Sequence, residues 1–78
     1  MTSSVTSQIR ATGVKVGRSH LDVSLNDGRS VRVPLSWYPR LAAGSPEQRR
    51  HWRLIGRGIG IRWDELDEDL SVEGLLRT

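Results

Sequence analysis

Apolar and polar side chains alternate through the first half of the chain. Val14 and Val16 flank Lys15 and precede Gly17, which predicts a short strand over residues 12–17. Leu21, Val23 and Leu25 alternate with Asp22 and Ser24, the pattern of a strand with one face in the core. Val31 and Val33 alternate with Ser30 and Arg32, predicting a return strand over residues 29–34. Asn26-Asp27-Gly28 lies between, and Asp-Gly accommodates the positive φ of a tight hairpin. The three segments predict an antiparallel meander with a single apolar face.

Pro34 cannot donate a ladder hydrogen bond, so it ends the third strand or sits at a sheet edge. Ser36 to Ala43 reads as a connector, with Trp37, Tyr38 and Leu41 closing the open end of the sheet. Ser45-Pro46-Glu47-Gln48 is a helix start: Ser45 caps, Pro46 fits the first helical position, and Gln48 completes a capping box. The predicted helix runs from Pro46 to Ile55 and stops near Gly56, with Trp52 and Ile55 facing the sheet. Ile59, Ile61 and Trp63 alternate as a fourth short strand, and Asp64 to Asp69 reads as an acidic connector. Ser71 caps a final helical turn whose Leu75 and Leu76 cover the core. The predicted fold class is α+β: a small antiparallel sheet, made of the meander plus the fourth strand, packed by one central helix and a short C-terminal helical turn. Residues 1–11 are expected to form a flexible tail and residues 12–78 a single domain.

A chain of 78 residues buries only about 60% of its unfolded surface on folding, which implies marginal stability. No cysteine is present to form disulfides or thiolate zinc sites, and without Phe the bulk must come from Trp37, Trp52 and Trp63. No apolar run reaches the roughly 20 residues of a membrane span. The first ten residues lack a signal-peptide core, so the expected compartment is the cytoplasm, with no membrane partner. Charge is segregated. Residues 1–62 carry 11 basic and 3 acidic side chains, a net +8, whereas residues 63–78 carry 1 basic and 6 acidic, a net −5. Solvated charge and internal pairing of the basic body with the acidic tail would explain this. The alternative is a contact surface for an acidic partner.

Candidate chemistry is sparse. Gly56, Gly58 and Gly60 are spaced like a phosphate loop, but no Gly-Lys-Ser/Thr follows and no long helix opens there. Asp64, Glu65, Asp67, Glu68 and Asp69 lack the alternate-ligand register of a calcium loop. His20 and His51 have no neighbouring partner in a triad or metal pair, and no serine sits in a nucleophile elbow. No catalytic residue, metal ligand or cofactor is therefore expected. Arg49, Arg50, Arg53 and Arg57 would share one side of the predicted helix as a phosphate-binding patch, though no helix-turn-helix accompanies them.

Two dense blocks carry a family resemblance. Leu25, Asp27, Gly28 and Arg29 lead into Val33-Pro34-Leu35 and Trp37-Tyr38-Pro39-Arg40-Leu41. After Gln48, Arg49 and Trp52 come Gly58, Gly60, Ile61, Trp63, then Leu66-Asp67-Glu68-Asp69-Leu70-Ser71-Val72 and Gly74-Leu75-Leu76. These positions resemble the bacterial domain-of-unknown-function family 2442 over residues 12–77. The resemblance implies a small α+β domain with no agreed activity. It also implies gene neighbourhoods like those of toxin–antitoxin pairs, or fusion to a helix-turn-helix. The reading that follows is a non-enzymatic protein-binding module that neutralises a toxin or defence effector, as an antitoxin-like or anti-CRISPR-like inhibitor. The contact residues expected are Arg49, Arg50, Arg53 and Arg57, or Asp64, Glu65, Asp67, Glu68 and Asp69. A DNA- or RNA-associated regulator using the Arg-rich helix face is the alternative, and a homodimer stays open.

Overall fold

A computed structural model describes residues 9–77. Strands β1 (Ala11–Val16), β2 (His20–Leu25) and β3 (Ser30–Pro34) form one antiparallel sheet in chain order. Two short helices follow, α1 (Pro39–Ala43) and α2 (Pro46–Arg50). Strands β4 (Trp52–Ile55), β5 (Gly60–Trp63) and β6 (Glu68–Ser71) then form a second three-stranded antiparallel sheet. Helix α3 (Val72–Leu76) closes the described chain. Of the tail expected for residues 1–11, residues 1–8 lie outside the described residues. Ile9 already packs against the core, the Arg10 amide donates to Asn26 Oδ1 at 3.1 Å, and the Asn26 amide donates to the Arg10 carbonyl at 2.9 Å.

The alternation along β2 is realised: Leu21, Val23 and Leu25 are buried, while Ser24 between them is exposed. On the other face Asp22 lies opposite both Lys15 and Arg32, with the Arg32 guanidinium 3.3 Å from its carboxylate. Opposite charges in directly facing positions support the strand pairing. The turn between β2 and β3 is held by Asp27, which accepts from the Arg29 amide at 3.0 Å and the Arg29 Nε at 2.7 Å, while Gly28 takes φ 92°.

The predicted central helix is corrected by the structure. Only Pro46–Arg50 is helical, and Trp52–Ile55 is a strand paired with β5. The start is as expected. Ser45 Oγ accepts from the Gln48 amide at 3.1 Å, and Gln48 Oε1 accepts from the Ser45 amide at 3.0 Å. The end is set from a distance. A continuing helix would donate the Arg53 amide to the Arg49 carbonyl, but the Trp63 indole Nε1 donates to that oxygen at 2.9 Å. Trp52 and Leu54 are instead half-buried on either side of exposed Arg53, a period of two that suits Trp and Ile as strand formers. Ser45→Ala removes the capping box and is expected to lower stability by about 1 kcal/mol, read as an earlier urea midpoint.

A second correction concerns the acidic connector. Glu68 and Asp69 begin strand β6 rather than lying wholly in a loop, and only Asp64 to Asp67 form the turn. Both sheets feed one core. Leu21, Val23, Leu25 and Val33 come from the first, Ile61 and Trp63 from the second, Leu35 and Leu41 from the connection between them, and Val72 and Leu75 from α3. Among the tryptophans only Trp63 is fully buried. Trp52 is half-buried against the core, and Trp37, expected to plug the sheet, is 52% exposed. Leu75 is buried as expected, whereas Leu76 is exposed.

Candidate functional site

Because the helix ends at Arg50, the four candidate arginines do not share one helical face. Arg49 and Arg50 lie on α2, Arg53 on β4, and Arg57 in the turn joining β4 to β5. Their surroundings separate them further. Arg49 donates from Nε to the Leu41 carbonyl at 2.8 Å and from Nη2 to the Ala42 carbonyl at 2.9 Å. It thereby binds carbonyls in the last turn of α1, adding to the bond that the Leu41 carbonyl already accepts from the Gly44 amide at 3.1 Å. Arg53 forms a two-pronged pair with Asp64, Nε to Oδ2 at 2.7 Å and Nη2 to Oδ1 at 3.1 Å. Arg50 and Arg57 are exposed, and no carboxylate among the described residues pairs with either. Arg57 holds φ 60°, a left-handed conformation uncommon for a residue with a Cβ.

Three of the five acidic candidates converge on Arg62, a residue with no role expected from the sequence. Its guanidinium reaches Asp64 at 3.3 Å, Asp67 at 2.9 Å and Asp69 at 3.2 Å. Strand geometry explains this. Arg62 and Asp64 are two residues apart, and Asp69 faces Arg62 across the β5–β6 pair. Asp67 takes φ 51°, which Asp tolerates better than most residues, and so turns back toward the same cation. Arg40 approaches from α1, donating to the Asp67 carbonyl and lying 3.7 Å from its carboxylate. Glu65 contacts the His51 Nδ1 at 2.8 Å. Of the five acidic candidates, Glu68 alone has no basic partner among the described residues; it accepts from the Asp69 amide at 3.2 Å. The signal available beforehand was the alternation Ile61-Arg62-Trp63: with Ile61 and Trp63 inward, Arg62 had to point outward beside the acids.

The electrostatics follow. The hydrogen bond from Arg53 above all, opposed by burial and reinforced by the bond from Arg62, holds the Asp64 carboxyl below its ordinary value of 3.8. Bonds to Asp67 and Asp64 hold Arg62 protonated above its usual range. A carboxyl depressed in the folded state adds stability above its unfolded pKa, and that stability is lost as pH falls through the folded value. Chemical denaturation midpoints are therefore expected to fall as pH drops from 5 through 3.8 and below. Asp64→Asn is expected to flatten that dependence. An equally steep pH profile in the variant would contradict the assignment.

Among the described residues no group of three His, Cys, Asp or Glu is placed to hold a metal ion. At the acidic turn the Arg62 guanidinium stands where a cation would bind. Half-buried His20 contacts the hydroxyl of adjacent, exposed Ser19 at 2.8 Å, with no carboxylate on the ring among the described residues. The described residues also line surface clefts. One, of about 280 Å³, is lined by Tyr38, Asp69, Leu70, Ser71, Gly74 and Leu75. Burial, then the charge of Glu68, raises the Tyr38 hydroxyl above its ordinary pKa. Another, of about 300 Å³, lies between β1 and α2. No helix among the described residues is long and apolar enough to cross a membrane.

These features define a small two-sheet α+β domain whose acidic turn is clasped by its own arginines. The chain belongs to the family described as "Protein of unknown function (DUF2442)", whose model matches residues 11–78. It is similar to the crystal structure of a protein of unknown function from Rhodospirillum rubrum, with a TM-score of 0.79 and 29% identity, covering 90% of this chain and 87% of that one. No curated protein matches the chain.

Proposed function

We propose that this chain is a non-enzymatic protein-binding module of the antitoxin or inhibitor kind, and that it presents positive charge to its partner. One observation carries the reading. Asp64, Asp67 and Asp69 are taken up by Arg40, Arg53 and Arg62, while Arg18, Arg50 and Arg57 stay exposed without a carboxylate partner among the described residues. Glu47 and Glu68 also lack a basic partner among the described residues, so the charge free for a partner is mainly, not wholly, basic, while Asp64, Asp67 and Asp69 serve the fold. Arg is enriched among residues that dominate binding energy at protein interfaces. The paired aspartates also make poor general bases, since Asp64 is held low.

The test is affinity capture of the full chain from cells that express it naturally, alongside Arg18→Glu, Arg50→Glu and Arg57→Glu variants. The expected result is a stoichiometric protein partner with an acidic surface, lost with the charge reversals and kept in Asp69→Asn. Recovery of nucleic acid in place of protein, abolished by nuclease, would favour a DNA- or RNA-associated regulator. Loss of the partner in Asp69→Asn alone would return the contact to the acidic turn.

A further inference from the structure

The cleft between β1 and α2 combines exposed arginines with apolar side chains. Its walls are Val16, Gly17 and Arg18 from the end of β1 and its turn, and Pro46, Arg49 and Arg50 from α2. The volume is about 300 Å³, at the small end of ligand-sized pockets and suited to one or two side chains. Arg18 and Arg50 are exposed, with no carboxylate partner among the described residues. Arg49 is fixed by its bonds to the Leu41 and Ala42 carbonyls through Nε and Nη2, so its position in the wall is set before any ligand arrives. Val16 and Pro46 add apolar surface to the same lining.

We infer that this groove takes an acidic peptide segment of the partner protein, an Asp or Glu side chain seated between Arg18 and Arg50 with an adjacent aliphatic residue on Val16 and Pro46. The inference rests on the protein-binding reading above and specifies where the contact lies. Three considerations select this occupant. Guanidinium groups pair with carboxylates in a planar, two-pronged geometry. An apolar floor contributes nothing to a phosphodiester but does to a Leu or Val beside the acid. A nucleic-acid duplex engages several phosphates in a row, whereas Arg57, also without a carboxylate partner among the described residues, sits in the β4–β5 turn. That turn packs against Ala11 at the start of β1, the far end of the strand from Arg18. A second copy of this chain is a poor occupant, because its own aspartates at the acidic turn are already paired.

The experiment titrates the full-length, isotope-labelled chain with two probes at low salt: a ten-residue peptide of alternating glutamate and leucine, and a ten-nucleotide oligothymidylate. Peptide-induced shifts are expected at the amides of Gly17, Arg18, Arg49 and Arg50. Arg18→Glu and Arg50→Glu are each expected to weaken binding about tenfold, the scale of one charged hydrogen-bonding group. Both side chains are exposed, and matching melting curves will show that the variants fold. Arg57→Glu is expected to change affinity less than about twofold. Peptide shifts centred on Arg57 would overturn the groove while leaving a basic protein-binding surface in place. Tighter binding of the oligonucleotide than of the peptide would overturn both readings, and so would no binding of either probe.

Discussion

Trp63→Ala is expected to leave the chain unfolded at room temperature. Trp63 is fully buried, and its indole contributes to a core shared by both sheets. Truncating a buried Trp to Ala costs about 3–5 kcal/mol through lost burial and the remaining cavity. That is a large share of the roughly 5–15 kcal/mol that stabilises a whole domain. A second loss adds to it. The Trp63 Nε1 donates to the Arg49 carbonyl at 2.9 Å, so the variant also removes the bond that ends α2. Trp63→Phe separates the two contributions, keeping most of the bulk while deleting the donor, and is expected to be destabilised by about 1–3 kcal/mol. Far-ultraviolet circular dichroism with a urea series distinguishes the outcomes. A native spectrum with a wild-type midpoint for Trp63→Ala would show that this indole does not organise the core.

Gly58→Ala is the second large effect expected. Gly58 takes φ 97°, where a side chain is strained. A Cβ there would also lie 2.4 Å from the Ala11 carbonyl oxygen, with the Ala11 amide and Arg10 Cβ close behind. The clash is with backbone, which cannot swing aside as a flexible side chain would. The β4–β5 turn must move away from β1, and the variant is expected to lose more than about 2 kcal/mol. Gly28→Ala provides the contrast. It shares a positive φ of 92°, yet nothing lies within 4 Å of its Cβ. Its penalty is then the conformational strain alone, about 1–2 kcal/mol. Equal midpoints for the two variants would refute the close approach at Gly58.

How much of this was legible in the chain depends on whether a local or a distant partner decided each element. Leu21, Val23 and Leu25 declare strand β2 because burial on one face is written into a period of two. Ser45 and Gln48 declare the start of α2 because a capping box spans only four residues. The end of α2 was not legible. The chain offers no breaker before Gly56, and the helix stops because Trp52 pairs with Trp63 and the Trp63 indole occupies a helical acceptor. Strand β6 was hidden for an electrostatic reason. Glu68 and Asp69 are weak strand formers, and Asp69 is tolerated there because Arg62 faces it. The segregation of charge was plain in the sequence, but which arginine takes which carboxylate follows from strand register. The acidic run thus looked available to a partner, and the structure gives most of it to Arg62, Arg53 and Arg40.

The three anchor points of Arg49 have a thermodynamic consequence. Through its side chain it grips the last turn of α1, and through its carbonyl it holds the indole at the heart of the molecule. A surface wall is thereby wired to the interior. A molecule that associates only with the intact arrangement of this wall raises the melting temperature by mass action. A thermal-shift screen would then detect a cognate ligand by the heat the domain withstands.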